Sequence, residues 1–216
     1  MSKAHRDYFN TLAPEWNDRM ADDPELRDYL IRFDVSAGDR VLDIGAGTGR
    51  MTKYLCELVG NDGTVVTEDF AVRMLEEGKR SLHSDKLMRL CDDATALALK
   101  RDCFDKVLCF SVFPHFSDPK QVLQEFHRVL RPGGKLLILH TCSSHELNHF
   151  HASLNGIVCD DRLLSAEEML PLLHRSGFRS EQVVERDNLY WVQAFKPCHK
   201  LDSTSEVESN SVNVYF

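Results

Sequence analysis

The sequence predicts an α/β protein with a mostly parallel sheet, helices on both faces and an antiparallel hairpin at its end. Short apolar runs alternate with helix-like segments, which is the pattern of parallel strands joined by helical crossovers. Near the end, two stretches with a strand pattern, residues 180–185 and 189–195, are separated only by Arg186, Asp187 and Asn188. Because so short a connection makes a hairpin, the last strand is predicted to be antiparallel.

Four apolar runs are predicted to be strands that are buried on both faces of the sheet. They are RVLDI at 40–44, TVVT at 64–67, KVLCF at 106–110 and KLLILH at 135–140. Helical patterns occupy 48–59, 72–82 and 119–130. Asp118 and Pro119 can begin the third helix, and RPGG at 131–134 ends it and turns the chain into the next strand. A last helix is predicted from Ser165 to Gly177.

Both ends of the chain differ from this alternation. Residues 1–33 carry Tyr8, Phe9, Trp16 and the helix-like PELRDYLIRF, and are predicted to form a helical cover across one edge of the sheet. Residues 34–196 would form the main domain. The tail at 197–216 is rich in serine, asparagine and charge, so it is predicted to be disordered.

Composition and charge disfavour several classes of function. The 216 residues carry 26 Lys and Arg against 34 Asp and Glu, a formal charge of −8, which disfavours binding to a nucleic-acid backbone. No apolar run approaches the roughly 20 residues that cross a bilayer, and the start, MSKAHRDYFN, is unlike a signal peptide. Seven cysteines without a C-x-x-C pair favour a reducing cytoplasm over a disulfide framework. We therefore expect a cytoplasmic monomer or homodimer that binds neither membranes nor nucleic acid.

The most informative segment is VLDIGAGTG at 41–49, where a predicted strand enters a helix through three glycines on alternate positions. Such a turn lets the backbone approach a ligand closely, although glycine can also be needed for the turn geometry alone. The dinucleotide fingerprint G-x-G-x-x-G fails because Arg50 holds the third glycine position, which disfavours a nicotinamide-dependent oxidoreductase. Asp43 beside the loop would repel phosphates and suits a cationic group such as an amine or a sulfonium.

The segment VLDIGAGTGR resembles the first motif of the class I S-adenosylmethionine-dependent methyltransferases, and that family's other motifs follow in order over roughly residues 5–196. DFAVRML at 69–75 resembles the motif whose acid binds the ribose hydroxyls, with Glu68 as an adjacent competitor for that role. DDATAL at 92–97 resembles the adenine-binding motif. FDKVLCFSVFPH at 104–115 and LRPGGKL at 130–136 resemble the fourth-strand motif and the turn before the fifth strand.

This resemblance implies a Rossmann-like, seven-stranded sheet and transfer of a methyl group from S-adenosyl-L-methionine to a small-molecule acceptor, with S-adenosyl-L-homocysteine as product. It also implies a substrate-selecting insertion at about 140–164. The cofactor-binding residues that it implies are Asp43, Gly45, Ala46, Gly47, Gly49, Glu68, Asp69, Met74, Asp93, Ala94, Phe110, Ser111 and Tyr8. Because the sulfonium donor is already activated by its charge, orientation and water exclusion are the protein's main tasks, and a dedicated base need not exist.

Histidines are concentrated on the expected acceptor side. His115 can accept a proton near neutral pH or can shape the pocket by packing, and His149 is the second catalytic candidate. The residues expected to meet the substrate are Trp16, His115, His145, His149 and His151. HELNH at 145–149 satisfies the zinc-hydrolase pattern H-E-x-x-H, but no third ligand follows at the usual distance.

Three alternatives to a methyltransferase stay open. One is a protein that binds the donor without transferring its methyl group, and another is a zinc-dependent hydrolase. The third is a metal-binding protein that uses the His140–His151 segment, with the ligands Cys142, His145, His149 and His151.

Overall fold

The structure, a computed structural model, describes residues 1–19, 23–198 and the backbone of 214–215. Its strands are β1 (Arg40–Ile44), β2 (Thr64–Glu68), β3 (Leu87–Leu90), β4 (Phe104–Phe110), β5 (Leu130–His140), β6 (Arg179–Arg186), β7 (Leu189–Phe195) and β8 (Val214–Tyr215). They form one sheet in the order β3-β2-β1-β4-β5-β7-β6-β8. Neighbours among the first five pair in parallel, whereas β7 is antiparallel to both β5 and β6. The predicted seven strands and terminal hairpin are confirmed, and β8 adds a two-residue parallel partner to β6.

Helices cover both faces of the sheet. They are α1 (Lys3–Leu12), α2 (Trp16–Arg19), α3 (Glu25–Arg32), α4 (Thr52–Leu58), α5 (Val72–Ser81), α6 (Pro119–Val129), α7 (Ser144–Ser153) and α8 (Ala166–Arg175). Asp118 caps α6 as predicted, because its carboxylate accepts the Gln121 N–H at 3.0 Å. Ser165 and Glu168 form a capping box at the start of α8. Within the described ranges, no helix has the length and apolar character that a membrane span requires.

Alternate residues of the central strands enter two hydrophobic clusters, one on each face of the sheet. Leu42 and Ile44 of β1 belong to the larger cluster, whereas Val41, which precedes them, belongs to the other. Burial on both faces explains why these strands are continuous apolar runs in the sequence. The N-terminal cover is divided: α3 packs into the second cluster through Leu26 and Leu30, while α1 lies over the carboxyl ends of the strands.

One strand and two element boundaries differ from what the local sequence patterns predict. β3 is missed because its residues, LMRL, are partly exposed at the sheet edge and give no continuous buried run. α4 begins at Thr52 rather than at residue 48, because turns continue through the glycine loop to Met51. β5 begins at Leu130, so RPGG forms an irregularity in the β4–β5 ladder instead of a separate turn. The predicted disorder at 197–216 falls almost entirely outside the described residues.

The topology places a crevice at the centre of the sheet. From β1 the chain adds β2 and β3 on one side, and then crosses to add β4 and β5 on the other. In open α/β sheets, ligands bind at the carboxyl ends of the strands where the strand order reverses in this way. The glycine loop follows β1 at this point.

Candidate active site

A small pocket lies where β1, β2 and β4 end. The strand ends and the following loops form one wall, and residues of the N-terminal cover form the other. Its lining residues are Met1, Arg6, Phe9, Trp16, Gly45, Asp69, Phe70, Ala71, Met74, Ser111, Val112 and His115. The cavity volume is about 60 Å³, against roughly 300–1,000 Å³ for typical ligand pockets. A ligand of nucleoside size therefore requires the cover to move.

The glycine loop packs too tightly for side chains at its start. Gly45 has φ +60°, and a Cβ atom there would lie 2.4 Å from Cγ2 of Val112 at the end of β4. Gly47 has φ +57°, and Nε1 of Trp16 lies 3.6 Å from the position of its absent Cβ. Both conformations favour glycine. Gly45 itself lines the pocket, together with Val112 and Trp16.

Three buried carboxylates lie beneath this loop. Asp43 accepts a hydrogen bond from Thr52 Oγ1 at 2.7 Å, and Asp69 accepts the N–H groups of Gly47 and Ala71, both at 2.8 Å. Glu68 receives only a long contact from the Gly45 N–H, at 3.4 Å. The three side chains belong to residues that are 8% exposed or less.

Burial makes these acids hard to ionise. It raises the pKa of Asp43 to about 7, a rise that the Thr52 hydrogen bond opposes and the nearby Asp69 charge increases. Burial likewise raises the pKa of Asp69 to about 6, against the two backbone hydrogen bonds, and raises the pKa of Glu68 well above its usual value. A cationic or hydroxyl-rich ligand would favour the ionised forms. The site is therefore suited to a ligand of that kind.

The structure brings some of the predicted cofactor-binding residues to the pocket itself. Those that line it are Gly45, Asp69, Met74 and Ser111. Gly47, Gly49 and Ala46 continue the loop, and the Ala46 N–H donates to the Glu68 carbonyl at 3.0 Å. Asp93 lies in a turn where its carboxylate accepts from the backbone and hydroxyl of Thr95 at 2.9 and 2.8 Å. Ala94 in the same turn is buried, as is Phe110 at the end of β4.

The aromatic residues of the cover that line the pocket differ from the predicted ones. Phe9 lines the pocket, where its ring lies edge-on to Trp16 at 5.9 Å and to His115 at 5.1 Å. The predicted Tyr8 packs against Phe9 at 5.2 Å and is not among the pocket-lining side chains of the described residues. The predicted Trp16 does line the pocket.

A cluster of histidines surrounds Asp161 beside the pocket. Nε2 of His5 lies 3.0 and 3.1 Å from the two carboxylate oxygens of Asp161, and Nδ1 of His115 lies 2.6 Å from one of them. Nδ1 of His151 is 2.9 Å from the Asp161 carbonyl oxygen, and its ring lies 5.5 Å from that of His115. His115 and His151 were predicted to be here. His5 and Asp161 were missed because no local motif links residues so far apart in sequence.

Burial acts on the pKa of His115 and Asp161 in this cluster and on that of the neighbouring His140. It lowers the pKa of His115, although the hydrogen bond and charge of Asp161 oppose that shift. It also lowers the pKa of His140 to about 3. Burial alone would raise the pKa of Asp161, but hydrogen bonds from His115 and His5 outweigh it and hold that pKa below its usual value. These shifts favour an ionised Asp161 beside a neutral His115.

The H-E-x-x-H pattern does not form a zinc site. His145 and His149 are exposed on α7, away from the lining of the pocket. Glu146, the expected general base, accepts from Ser143 in the capping box of α7 and also receives the Asn188 N–H. The proposed ligands Cys142, His145, His149 and His151 are not brought together. Across the described ranges, one group of three or more residues has metal-ligand spacing, and it is His5, His115 and Asp161.

Comparisons with known proteins agree with this fold. Residues 42–138 match the protein family described as methyltransferase domain. The chain is 40% identical over 109 residues to the ubiquinone/menaquinone biosynthesis C-methyltransferase of Hahella chejuensis, covering 49% of this chain and 44% of that protein. It is 36% identical over 118 residues to the demethylmenaquinone methyltransferase of Shouchella clausii, covering 53% and 50%. The chain thus spans about half the length of the curated relatives it matches.

A solved structure shows the same fold. The S-adenosylmethionine-dependent methyltransferase of Aquifex aeolicus superposes with a TM-score of 0.68 at 23% sequence identity. The match covers 88% of this chain and 97% of that one. The sheet and its helices therefore have the Rossmann-like methyltransferase architecture.

Proposed function

We propose, because residues 42–138 of this chain match the methyltransferase domain family, that the protein transfers a methyl group from S-adenosyl-L-methionine to a small-molecule acceptor. The observation that carries the proposal is the acidic, glycine-lined pocket at the strand-order reversal. Its loop excludes side chains at Gly45, and Asp69 and Asp43 would supply negative charge beside it once a cationic ligand favours their ionised forms. A sulfonium nucleoside combines the cation and the hydroxyls that such a site would bind.

The donor subsites follow from the positions of the residues. Asp69, at the end of β2, would accept hydrogen bonds from the ribose hydroxyls, and Asp93 and Ala94 would meet the adenine. Asp43 and the loop backbone would hold the methionine portion. These assignments rest on the family pattern and on the convergence of Gly45, Asp69 and Ser111 on one pocket.

The proposed reaction is an in-line displacement at the methyl carbon. The acceptor's electron pair forms the new bond to carbon while the carbon–sulfur bond breaks and its electrons neutralise the sulfonium. The protein holds the two partners collinear and excludes water, which the closed cover would do. An acceptor that carries an acidic hydrogen also needs a proton acceptor, and His115 lies in the pocket wall for this role.

The acceptor is proposed to be a small molecule. The printed names of the curated relatives concern methylation in ubiquinone and menaquinone biosynthesis, which supports an acceptor that is not a macromolecule. The acidic net charge supports an acceptor other than nucleic acid, and the abundance of unpaired cysteines supports a cytoplasmic location. A monomer or a homodimer would be sufficient for this activity.

Donor binding and turnover test the proposal separately. Calorimetry should detect binding of S-adenosyl-L-methionine and of S-adenosyl-L-homocysteine to the intact chain. Asp69→Asn should weaken binding by about 10- to 100-fold, since a hydrogen bond to a charged group contributes roughly 1.5–3 kcal/mol. The control is Asp85→Asn, the same substitution at an exposed site.

Absence of binding to the wild-type protein would overturn the proposal. Turnover is measured as formation of S-adenosyl-L-homocysteine with a panel of phenols, thiols, amines and quinols. Tight donor binding without product across this panel would instead favour a donor-binding protein that lacks transfer activity.

A further inference from the structure

We propose that Asp161 is a positioning residue that orients His115 as the proton acceptor, and that His5 completes this arrangement when the cover closes. The proposal rests on the proposed methyl transfer and identifies the acceptor as a group that must lose a proton. None of the sequence motifs includes Asp161 or His5. Both residues become relevant only because the fold places them against His115.

The hydrogen-bond chemistry fixes the state of the His115 ring. An ionised carboxylate only accepts, so the 2.6 Å contact between Nδ1 of His115 and Asp161 places the proton on Nδ1. Nε2 is then the nitrogen with the free electron pair. A histidine held by a carboxylate in this tautomer is the arrangement used for proton abstraction in other enzymes. The ring lines the pocket, where an acceptor would have to bind.

His5 is held in the complementary tautomer from the cover. Ser2 Oγ accepts the His5 backbone N–H at 3.2 Å and lies 2.7 Å from Nδ1 of the same residue. Because that hydroxyl can donate to Nδ1, Nε2 of His5 carries the proton and donates to Asp161 at 3.0 Å. Each of the three side-chain hydrogen bonds, Ser2 to His5, His5 to Asp161 and His115 to Asp161, therefore has a defined donor and acceptor.

The series joins three parts of the fold that are separate in sequence. His5 belongs to α1 of the cover, His115 follows β4, and Asp161 lies in the connection between α7 and α8. His151 of α7 also fixes this connection through its contact with the Asp161 carbonyl. The side chains of His5, His115 and Asp161 are each 11% exposed. Opening of the cover would remove one of the two donors that hold Asp161.

His5, His115 and Asp161 also have the spacing of metal ligands, since their possible ligand atoms lie within 4.8 Å of one another. The hydrogen-bonded arrangement accounts for these contacts without an ion, because one carboxylate accepts from two neutral rings. The two interpretations differ in the tautomers of His5 and His115 and in their response to chelators. An experiment can therefore separate them.

The first test reads the tautomers without any activity. Long-range ¹H–¹⁵N correlation of the intact protein, with each ring assigned by a single His→Gln variant, should show His115 protonated on Nδ1 and His5 on Nε2. His145, exposed on α7, is the control and should exchange between both forms. The opposite tautomer at His115, or two charged rings near neutral pH, would overturn the proposal even if methyl transfer were not found.

The second test uses Asp161→Asn, with Asp160→Asn as the control because Asp160 is an adjacent, exposed carboxylate. Asp161→Asn should lower kcat by about 100- to 1,000-fold while donor affinity changes less than about 2-fold. The acid limb of the pH–rate profile reflects His115, with His5, His140 and His151 as its titratable neighbours. It should move to lower pH, since Asp161 is the group that raises the pKa of His115.

His5 variants test the link to the cover. His5→Ala should lower kcat by about 10-fold, and His5→Gln, whose amide N–H can still donate to Asp161, should recover most of it. Activity should survive prolonged chelation. Unchanged kcat in Asp161→Asn, or activity that chelation abolishes and Zn²⁺ restores, would overturn the proposal. Loss of donor binding in the wild type would be a failure of the proposed function instead.

Discussion

Ser111, a residue in the pocket wall, has an unfavourable backbone conformation. It has φ +55° directly after β4, a region that residues other than glycine rarely adopt, and its N–H donates to the Leu139 carbonyl at 3.0 Å. Such strain costs of order 1–3 kcal/mol and persists only where the surroundings enforce it. The buried acids Asp43 and Asp69 are a second local cost. Both features lie at the pocket, which is where stability is commonly sacrificed for binding.

Gly45→Ala tests the tight packing of the glycine loop. The new methyl group would meet Val112 at 2.4 Å in a left-handed backbone conformation, so we expect a loss of about 2–4 kcal/mol in the free energy of unfolding. Urea denaturation measures this loss. Gly38→Ala is the matched control, because Gly38 has φ +87° but nothing within 4 Å of the added atom. It should cost only about 1 kcal/mol.

The double variant Gly45→Ala with Val112→Ala separates contact from backbone strain. It should recover part of the loss by removing the side chain that the new methyl group meets. Equal losses for Gly45→Ala and Gly38→Ala would contradict the steric explanation and leave backbone strain as the only cause.

At the scale of elements, α1 and α7 show opposite relations between sequence pattern and function. α7 carries the recognisable H-E-x-x-H pattern, yet its histidines at 145 and 149 are exposed and Glu146 serves the helix cap. α1 carries no motif, yet it provides His5 and Phe9 to the site. A short motif specifies spacing on a helix, but the face that turns inward depends on packing against the rest of the fold.

Phe9→Ala tests α1 as the movable wall of the pocket. Phe9 contacts both Trp16 and His115, so its removal should favour the open cover. We expect donor affinity to fall by about 5- to 20-fold, mainly through faster dissociation, as is usual when contacts within one interface are lost. Stopped-flow tryptophan fluorescence measures both rates, because Trp16 lies in the pocket wall.

Phe150→Ala is the control for this prediction. Phe150 is 56% exposed on α7, so the same substitution removes no pocket contact and should leave both rates unchanged. An unchanged dissociation rate in Phe9→Ala would show that α1 does not restrict exit of the donor.

For the whole molecule, the sequence predicts the sheet and the glycine-loop wall of the pocket much better than the histidine cluster around Asp161. Strands buried on both faces produce apolar runs, and the glycine loop follows β1 directly, so both are local signals. β3 gives no such run because Met88 and its neighbours lie at an exposed edge. Asp161 and His5 are 156 residues apart in sequence. Their contact depends on the complete topology, and no window of sequence can report it.

The pH dependence of folding should record the cost of the buried acids. Asp43, Glu68 and Asp69 have raised pKa values in the folded protein, to about 7 for Asp43 and about 6 for Asp69. Below about pH 4 both folded and unfolded chains hold these protons. As pH rises further, the unfolded chain releases these protons first. The free energy of unfolding therefore falls with pH, and it stops falling once the pH exceeds the pKa values of the folded protein.

Neutral buried histidines oppose this trend, because the pKa of His140 is lowered to about 3 and those of His115 and His127 are also lowered. The free energy of unfolding of the wild type therefore varies with pH through both effects. The difference in this free energy between wild type and Asp43→Asn isolates the contribution of one acid. In ligand-free protein this difference should shift in favour of Asp43→Asn by roughly 2 kcal/mol between pH 5 and pH 8. Urea denaturation at both pH values measures it, with Asp85→Asn as the control whose difference should stay constant. A constant difference for Asp43→Asn would mean that Asp43 is ionised throughout, and that the pocket carries its full negative charge before any ligand binds.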